Sequence, residues 1–320
     1  MRLRFAIAFV LIAASVVAAP AQSYPTKPVR VIVPFPPGGP TDVLARLIAQ
    51  KLSEQTGKQF YVENVGGAGG NVGTARVAQA APDGYTLVVT GGNHTNNAYL
   101  YNHLPYDPIK DFQPITLATV QAIVLTVNPS VPARSVKELV ELIRANSGKY
   151  SYASPPVGTP PHLVGELFKL SLKLDLVNVP FNGGGPAVGA TVGGHTPISF
   201  GAMTPAVSLI KDGKLRALAV TTKTRSQTLP EIPTMEEAGY PEVEGVTWTA
   251  IAAPAGTPRE IVAQLHRMIV GALALPDMKA KVAALGAEPV ANSPEQCGEF
   301  FRAEMAKWSK VIKAAGIQPH

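Results

Sequence analysis

Apolar positions along this chain switch repeatedly between two spacings. In PVRVIVPF, Val29, Val31, Ile32 and Val33 form a β-branched run closed by Pro34 and Pro36, which predicts a buried strand. The next apolar positions, Val43, Leu44, Leu47, Ile48 and Leu52, recur with helical spacing and stop near Gly57. A loop rich in glycine and proline therefore leads from a strand into a helix. The unit recurs: QFYVENV reads as a strand, GGAGG as a loop, residues 71–80 as a helix and DGYTLVVT as a third strand. Such alternation predicts a parallel α/β sheet, because parallel neighbours need a crossover long enough to hold a helix.

A second series starts at AIVLTVNPS. Ser135 with Glu138 makes an S-x-x-E capping box that opens a helix ending by Gly148. KYSYAS is a strand, and PHLVGELFKLSLK a helix with Thr159 at its N-cap and Pro160 at its first position. LVNVPF, a small-residue helix after NGGGP, TPISFGAM, a helix over about 207–211 and LRALAVTT complete the series. From about Gly245, VTWTAIAAP reads as a strand, with helices over about 259–273, 276–285 and 294–315. Those helices need a sheet to cover. Two α/β lobes are expected, residues 24–125 with 245–320 and residues 126–244, the chain passing between them near 120–126 and 245–253.

Composition narrows the class. At 46% hydrophobic and 16% charged residues, the 320-residue chain has enough apolar material for a core and too little charge for disorder. Residues 1–23 combine Arg2 and Arg4, an apolar run over 5–19 broken only by Ser15, and small residues at Ala19, Ala21 and Ser23. This is the pattern of a secretory signal peptide, and the run is short of the roughly 20 residues that span a bilayer. Losing Arg2 and Arg4 lowers the net charge from +6 to about +4. The basic residues are scattered, with no stripe of interleaved aromatics, so nucleic acid is not an expected partner. Cys297 is the one cysteine, which excludes an internal disulfide and a cysteine-based zinc site.

The chemistry concentrates where strands end. The loops at 34–42, 65–71, 90–97, 154–159, 180–186 and 200–205 are rich in Gly, Pro, Ser, Thr and Asn. In open parallel sheets ligands lie beyond the carboxyl ends of strands. Helix N-termini there offer unpaired N–H groups and about half a positive charge, which suits a carboxylate or phosphate without Lys or Arg. Taken singly, each glycine only permits a turn, Thr41 and Thr159 read as plain N-caps, and Asp42 is explained by the helix dipole. Phe35 and Phe181 fit a cavity wall or a core equally, and Met203 reads as packing. Enzymatic motifs fail one by one. Val72 stands where G-x-G-x-x-G needs its last glycine, and there is no P-loop, G-x-S-x-G or H-E-x-x-H. Ser208 and Lys211 match S-x-x-K without its companion motifs, and His162 with Glu166 reads as a polar pair on one helix face. No catalytic residue, metal or cofactor is expected.

Several blocks nonetheless spell a family. YPTKPVRVIVPFPPGGPTDVLARLIAQKL, YVENVGGAGGNVGTARVAQAAPDGYTL, LPYDPIKDFQPITL, GKLRALAVTTKTRSQTLPEIPTMEEAGYP and WTAIAAPAGTP closely resemble the Bug-type solute receptors, extracytoplasmic components of tripartite tricarboxylate transporters. The resemblance implies a type II periplasmic-binding-protein fold, α/β, with two lobes, a two-strand hinge and a ligand cleft between them. It implies a periplasmic monomer that captures a small organic carboxylate and passes it to inner-membrane permease subunits. The family's ligand positions carry over to Phe35, Gly38, Gly39, Thr41 and Asp42, opposite Ser154, Gly158 and Thr159, with Asn93, Phe181, Asn182 and Met203 also facing the cleft. Departures matter. Phe181 replaces a common Tyr, Asn182 a common Lys, Ala190 and Gly201 two frequent Asp, and Pro155 and Pro156 a stretch usually richer in Ser and Gly. Two fewer carboxylates disfavour an amino acid, whose ammonium needs an anionic partner, and favour a less polar mono- or dicarboxylate, including an aromatic acid between Phe35 and Phe181. The rival expectations are a sensor feeding a two-component system, a secreted enzyme acting on a small carboxylate, and a structural envelope protein.

Overall fold

The structure, a computed structural model, describes residues 24–319; the signal peptide expected over 1–23 lies outside them. The opening units are β1 (Val29–Val33), α1 (Pro40–Thr56), β2 (Phe60–Asn64), α2 (Asn71–Ala78) and β3 (Thr86–Thr90). A short helix α3 (Asn93–Asn96) and a long strand β4 (Phe112–Val127) follow. Next come α4 (Val136–Ala145), β5 (Tyr150–Ser154), α5 (Pro160–Ser171), β6 (Leu176–Pro180), α6 (Gly184–Val192), β7 (Ile198–Ala202), α7 (Met203–Lys211) and β8 (Arg216–Val220). The chain closes with β9 (Val246–Pro254), α8 (Arg259–Ala274), α9 (Pro276–Ala284), β10 (Ala287–Pro289) and α10 (Pro294–Ala314).

The strands lie in the order β2-β1-β3-β9-β4-β7-β5-β6, with β8 and β10 also on β4. Around β1 and around β5 the pairing is parallel, as the alternation requires, whereas β4 and β9 run antiparallel to their neighbours. β4 is what joins the two wings. Its stretch from Phe112 to Ala122 pairs with β9, and from Ile123 to Val127 it pairs with β7. One strand of 16 residues thus belongs to both wings, and the changeover falls at Ala122 and Ile123.

Each wing has its own core. Val29, Val31, Val33, Leu44, Ile48 and Leu87 pack together on the first, and Leu125, Val127, Leu139, Tyr152, Phe168 and Phe200 on the second. α10 does not stay on one side. Its Phe301 packs with Leu117 and Trp248, while Trp308, Val311 and Ile312 enter the core of the second wing. Between them the buried Glu304 carboxylate accepts from the indole N–H of both Trp248 (3.0 Å) and Trp308 (2.9 Å).

Helix boundaries follow local chemistry. Gly57, at φ 65°, closes α1, a backbone angle that a side chain would oppose. Ser135 caps α4 by accepting from the Glu138 N–H (3.1 Å), and Glu138 reaches back to the Arg134 N–H (2.7 Å). One expected cap is corrected, and one holds by position but not by side chain. Gly39 is the N-cap of α1, so Thr41 sits inside the helix; Thr159 is the N-cap residue of α5, but its hydroxyl donates to the Pro156 carbonyl and caps nothing.

Candidate functional site

A cavity of about 540 Å³ opens between the wings. From the first wing it is walled by Phe35 and residues 38–42 after β1, and by Gly91, Gly92 and Asn93 after β3. From the second come Pro155 and residues 159–161 after β5, residues 183–185 after β6, and Ala202, Thr204 and Pro205 after β7. The joining strands supply the floor, with Thr119 and Gln121 from β4 and Thr247, Trp248 and Thr249 from β9. The crossovers dictate this arrangement, since every parallel strand delivers its carboxyl end and the next helix start to the same rim.

Four helices, α1, α5, α6 and α7, therefore aim their N-termini at one space, and none has a side-chain cap. Among the described residues, the two helices that carry side-chain caps, α4 and α10, begin elsewhere. First-turn N–H groups have no intrahelical acceptor. In α1 the first intrahelical bond runs from the Val43 N–H to the Gly39 carbonyl, which leaves Thr41 and Asp42 as donors. In α6 it runs from Ala187 to Gly183, which leaves Gly184 and Gly185. Met203 and Thr204 hold the same positions in α7.

Among the described residues, no Lys, Arg or His lines the cavity, and its one carboxylate, Asp42, is already engaged. Asp42 accepts from the Gly38 N–H (2.9 Å), Arg46 Nε (3.0 Å) and Asn64 Nδ2 (2.8 Å). Burial alone would raise its pKa, but the hydrogen bonds from Arg46, Gly38 and Asn64 outweigh that and hold the carboxyl below the usual range. Asp42 is thus a brace for the loop before α1 rather than a free anion. The cavity is positive at its helix ends and carries no free countercharge of either sign.

The expected residues divide. Phe35, Gly38, Gly39, Thr41, Asp42, Asn93 and Thr159 line the cavity. Ser154, Gly158, Phe181, Asn182 and Met203 lie outside its lining, each for a local reason. The Ser154 hydroxyl is buried, donating to the Pro155 carbonyl and accepting from Asn178. Gly158, at φ 82°, lies under Leu100 and gives its N–H to His162 Nδ1 (3.1 Å). Phe181 turns back to give its N–H to the Ser154 carbonyl (2.9 Å), Asn182 is exposed, and Met203 is buried with Val124, Val188 and Ala206. His162 and Glu166 do not pair; Glu166 accepts instead from the Tyr152 hydroxyl (2.8 Å) and Lys169 (3.1 Å).

The floor is what the loops do not reveal. Gln121 Nε2 donates to Thr204 Oγ1 and to the Leu285 carbonyl, Thr204 donates to the same carbonyl, and Thr247 donates to Gln121 Oε1 (3.3 Å). This cluster ties α7, β4, β9 and the turn after α9 together beneath the cavity. Its signal in the sequence is the period-two placement of Thr119 with Gln121 and of Thr247 with Thr249, which puts each pair on one face of its strand. Among the described residues, no three His, Cys, Asp or Glu are grouped to hold a metal, and no helix is long and apolar enough to cross a membrane.

Known proteins share this architecture. Residues 44–317 match the family model described as the tripartite tricarboxylate transporter family receptor, TctC. The chain belongs to that family. Its TctC relatives include BugT of Bordetella pertussis, 36% identical, with 97% of this chain and 96% of that protein aligned. Among solved structures, R. palustris Rpa4515 with adipate superposes at a TM-score of 0.84 and 36% identity, covering 93% of this chain and all of that one. The periplasmic binding protein BugD gives 0.80 at 34% identity over 93% of this chain and all of its own. MatC from Rhodopseudomonas palustris, with bound malate, gives 0.79 at 34% identity over 90% and 100% of the two chains. The fold is the two-lobed, two-strand-hinged periplasmic-binding-protein type, and the TctC family to which the chain belongs is one of solute-binding receptors.

Proposed function

We propose that this chain is a periplasmic receptor that captures a small dicarboxylate between its lobes and presents it to inner-membrane permease subunits. The observation that carries this reading is the convergence of helix N-termini from both wings on a cavity without any cationic side chain. One carboxylate docks on the free N–H groups of Thr41 and Asp42. The other meets those of Gly184 and Gly185, with Thr204 beside them. Positive helix ends on both walls favour a dianion, and the tied-up Asp42 leaves nothing to pair with a ligand ammonium.

The lobes would comprise residues 24–125 with the chain from 245, and residues 126–244, and would close by bending β4 and β9 where they pass between wings. Closure is driven by the ligand only as far as the closed form binds it better. The adipate and malate in two relatives support the ligand class. A signal peptide over 1–23 would deliver the chain to the periplasm.

The test is isothermal titration of the protein lacking residues 1–23 against succinate, adipate, malate, aspartate and glutamate. At least one diacid should bind, with a thermal shift that grows with ligand concentration, while aspartate and glutamate bind at least about tenfold more weakly. Tight binding of the amino acids alone would contradict the reading.

A further inference from the structure

The four helix starts around the cavity are not equivalent. α5 opens with Pro160 and Pro161, and proline has no N–H to offer. The residue before them, Thr159, turns both its N–H (3.2 Å) and its hydroxyl (2.7 Å) back onto the Pro156 carbonyl. The first intrahelical bond is from Leu163 to the Thr159 carbonyl, so His162 supplies the single free N–H of this terminus, in the third helical position and behind the two prolines. Where α1 and α6 present two N–H groups each, α5 presents to the cavity the rings of Pro160 and Pro161, joined by Pro155.

This surface is held still. A Cβ at Gly92 would overlap Pro160 Cγ, so the ring rests directly on the Gly92 backbone. Behind it, Gly158 lies under Leu100, gives its N–H to His162 Nδ1 and accepts from Asn96 Nδ2 (3.0 Å) through its carbonyl. The loop cannot rotate a donor or acceptor into the cavity without breaking that packing.

Resting on the reading of the cavity as a dicarboxylate site, we infer that Pro155, Pro160 and Pro161 form a specificity wall that selects diacids whose carbon chain is unsubstituted. A hydroxyl brought against these rings loses its hydrogen bonds to water and gains none in return. A methylene chain lies there without cost. One hydroxyl can still turn toward the threonines of the floor, but hydroxyls on both faces of a chain cannot all do so. Discrimination should therefore be sharpest against polyhydroxylated diacids of equal length.

Titration of matched pairs tests this: succinate against tartrate for four carbons, and adipate against galactarate for six. In the native protein the unsubstituted member of whichever length binds should be favoured at least about tenfold. Pro161→Ala restores an N–H at the second helical position and leaves the Pro160–Gly92 contact in place. It should narrow that ratio at least threefold by tightening the hydroxylated ligand, with the melting temperature of the free protein checked alongside. Equal or tighter binding of the hydroxylated member to the native protein overturns the inference, as does an unchanged ratio in a folded Pro161→Ala protein. If neither these four diacids nor malate binds, it is the dicarboxylate reading itself that fails.

Discussion

Two buried histidines make the molecule sensitive to acid. Burial is the main cause that pushes His94 and His162 down to about 4 each, below the ordinary histidine value. His94 Nε2 meets the Pro108 carbonyl (2.9 Å), and His162 Nδ1 accepts from the Gly158 N–H, so both rings serve the fold in the neutral state. Folding lowers these pKa values, so the stabilisation is complete above about pH 6.5 and is lost as pH falls through about 4. Each ring contributes roughly 3 kcal/mol across that window. Urea unfolding between pH 7 and 4 should show a steep loss of stability. In His162→Asn, whose amide oxygen can still accept from Gly158, the slope should be shallower; an identical slope would remove His162 from the account. Asp42 acts in the same direction at lower pH, because hydrogen bonds that hold its carboxyl below the usual range are lost as it is protonated. Asp42→Asn weakens the bonds from Arg46 and Gly38 and should cost about 1–3 kcal/mol of stability together with diacid affinity. Denaturant melts and titration check both.

At the scale of elements, the strand–loop–helix units are legible in the sequence because β-branched runs and 3.6-residue spacing are separated by Gly/Pro loops. The capping box at Ser135 reads correctly for the same reason, since it is a local pattern with a local cause. Ser135→Ala should cost about 1 kcal/mol, measured by chemical denaturation, and leave ligand affinity unchanged. The first half of β4 is harder to see. PITLATVQ mixes threonine with apolar residues and carries Pro114, and only pairing with β9 and β10 makes it a strand. β10 has three residues and α3 four, too few for any period to register. The loops of the site are legible, but which residues in them face inward is not. Ser154, Gly158, Phe181 and Met203 share their composition with true lining residues and differ only in tertiary partners. The floor residues escape for the opposite reason, because Thr119, Gln121, Thr247 and Thr249 lie on strands where no loop chemistry draws the eye.

For the whole molecule, the spacing predicts two α/β units and two strand crossings, and the structure shows β4 changing its pairing from β9 to β7 at Ala122 and Ile123. The spacing predicts α10 as a helix, but no sequence period announces that it begins on one wing and ends in the core of the other. Its Trp308 is fully buried, and Trp308→Ala should cost about 3–5 kcal/mol by cavity formation and loss of the bond to Glu304, read from the shift of the denaturation midpoint. The larger claim concerns charge. A dianion is to be held between the wings by backbone N–H groups at helix starts, with no lysine, arginine or metal. The direct measurement is a crystal structure of the protein with a diacid that titration has shown to bind. One carboxylate should lie within hydrogen-bonding distance, directly or through one water, of the Thr41 and Asp42 N–H groups, and the other against Gly184 and Gly185. A carboxylate paired instead with a cationic side chain, or a diacid seated outside this cavity, would contradict the account.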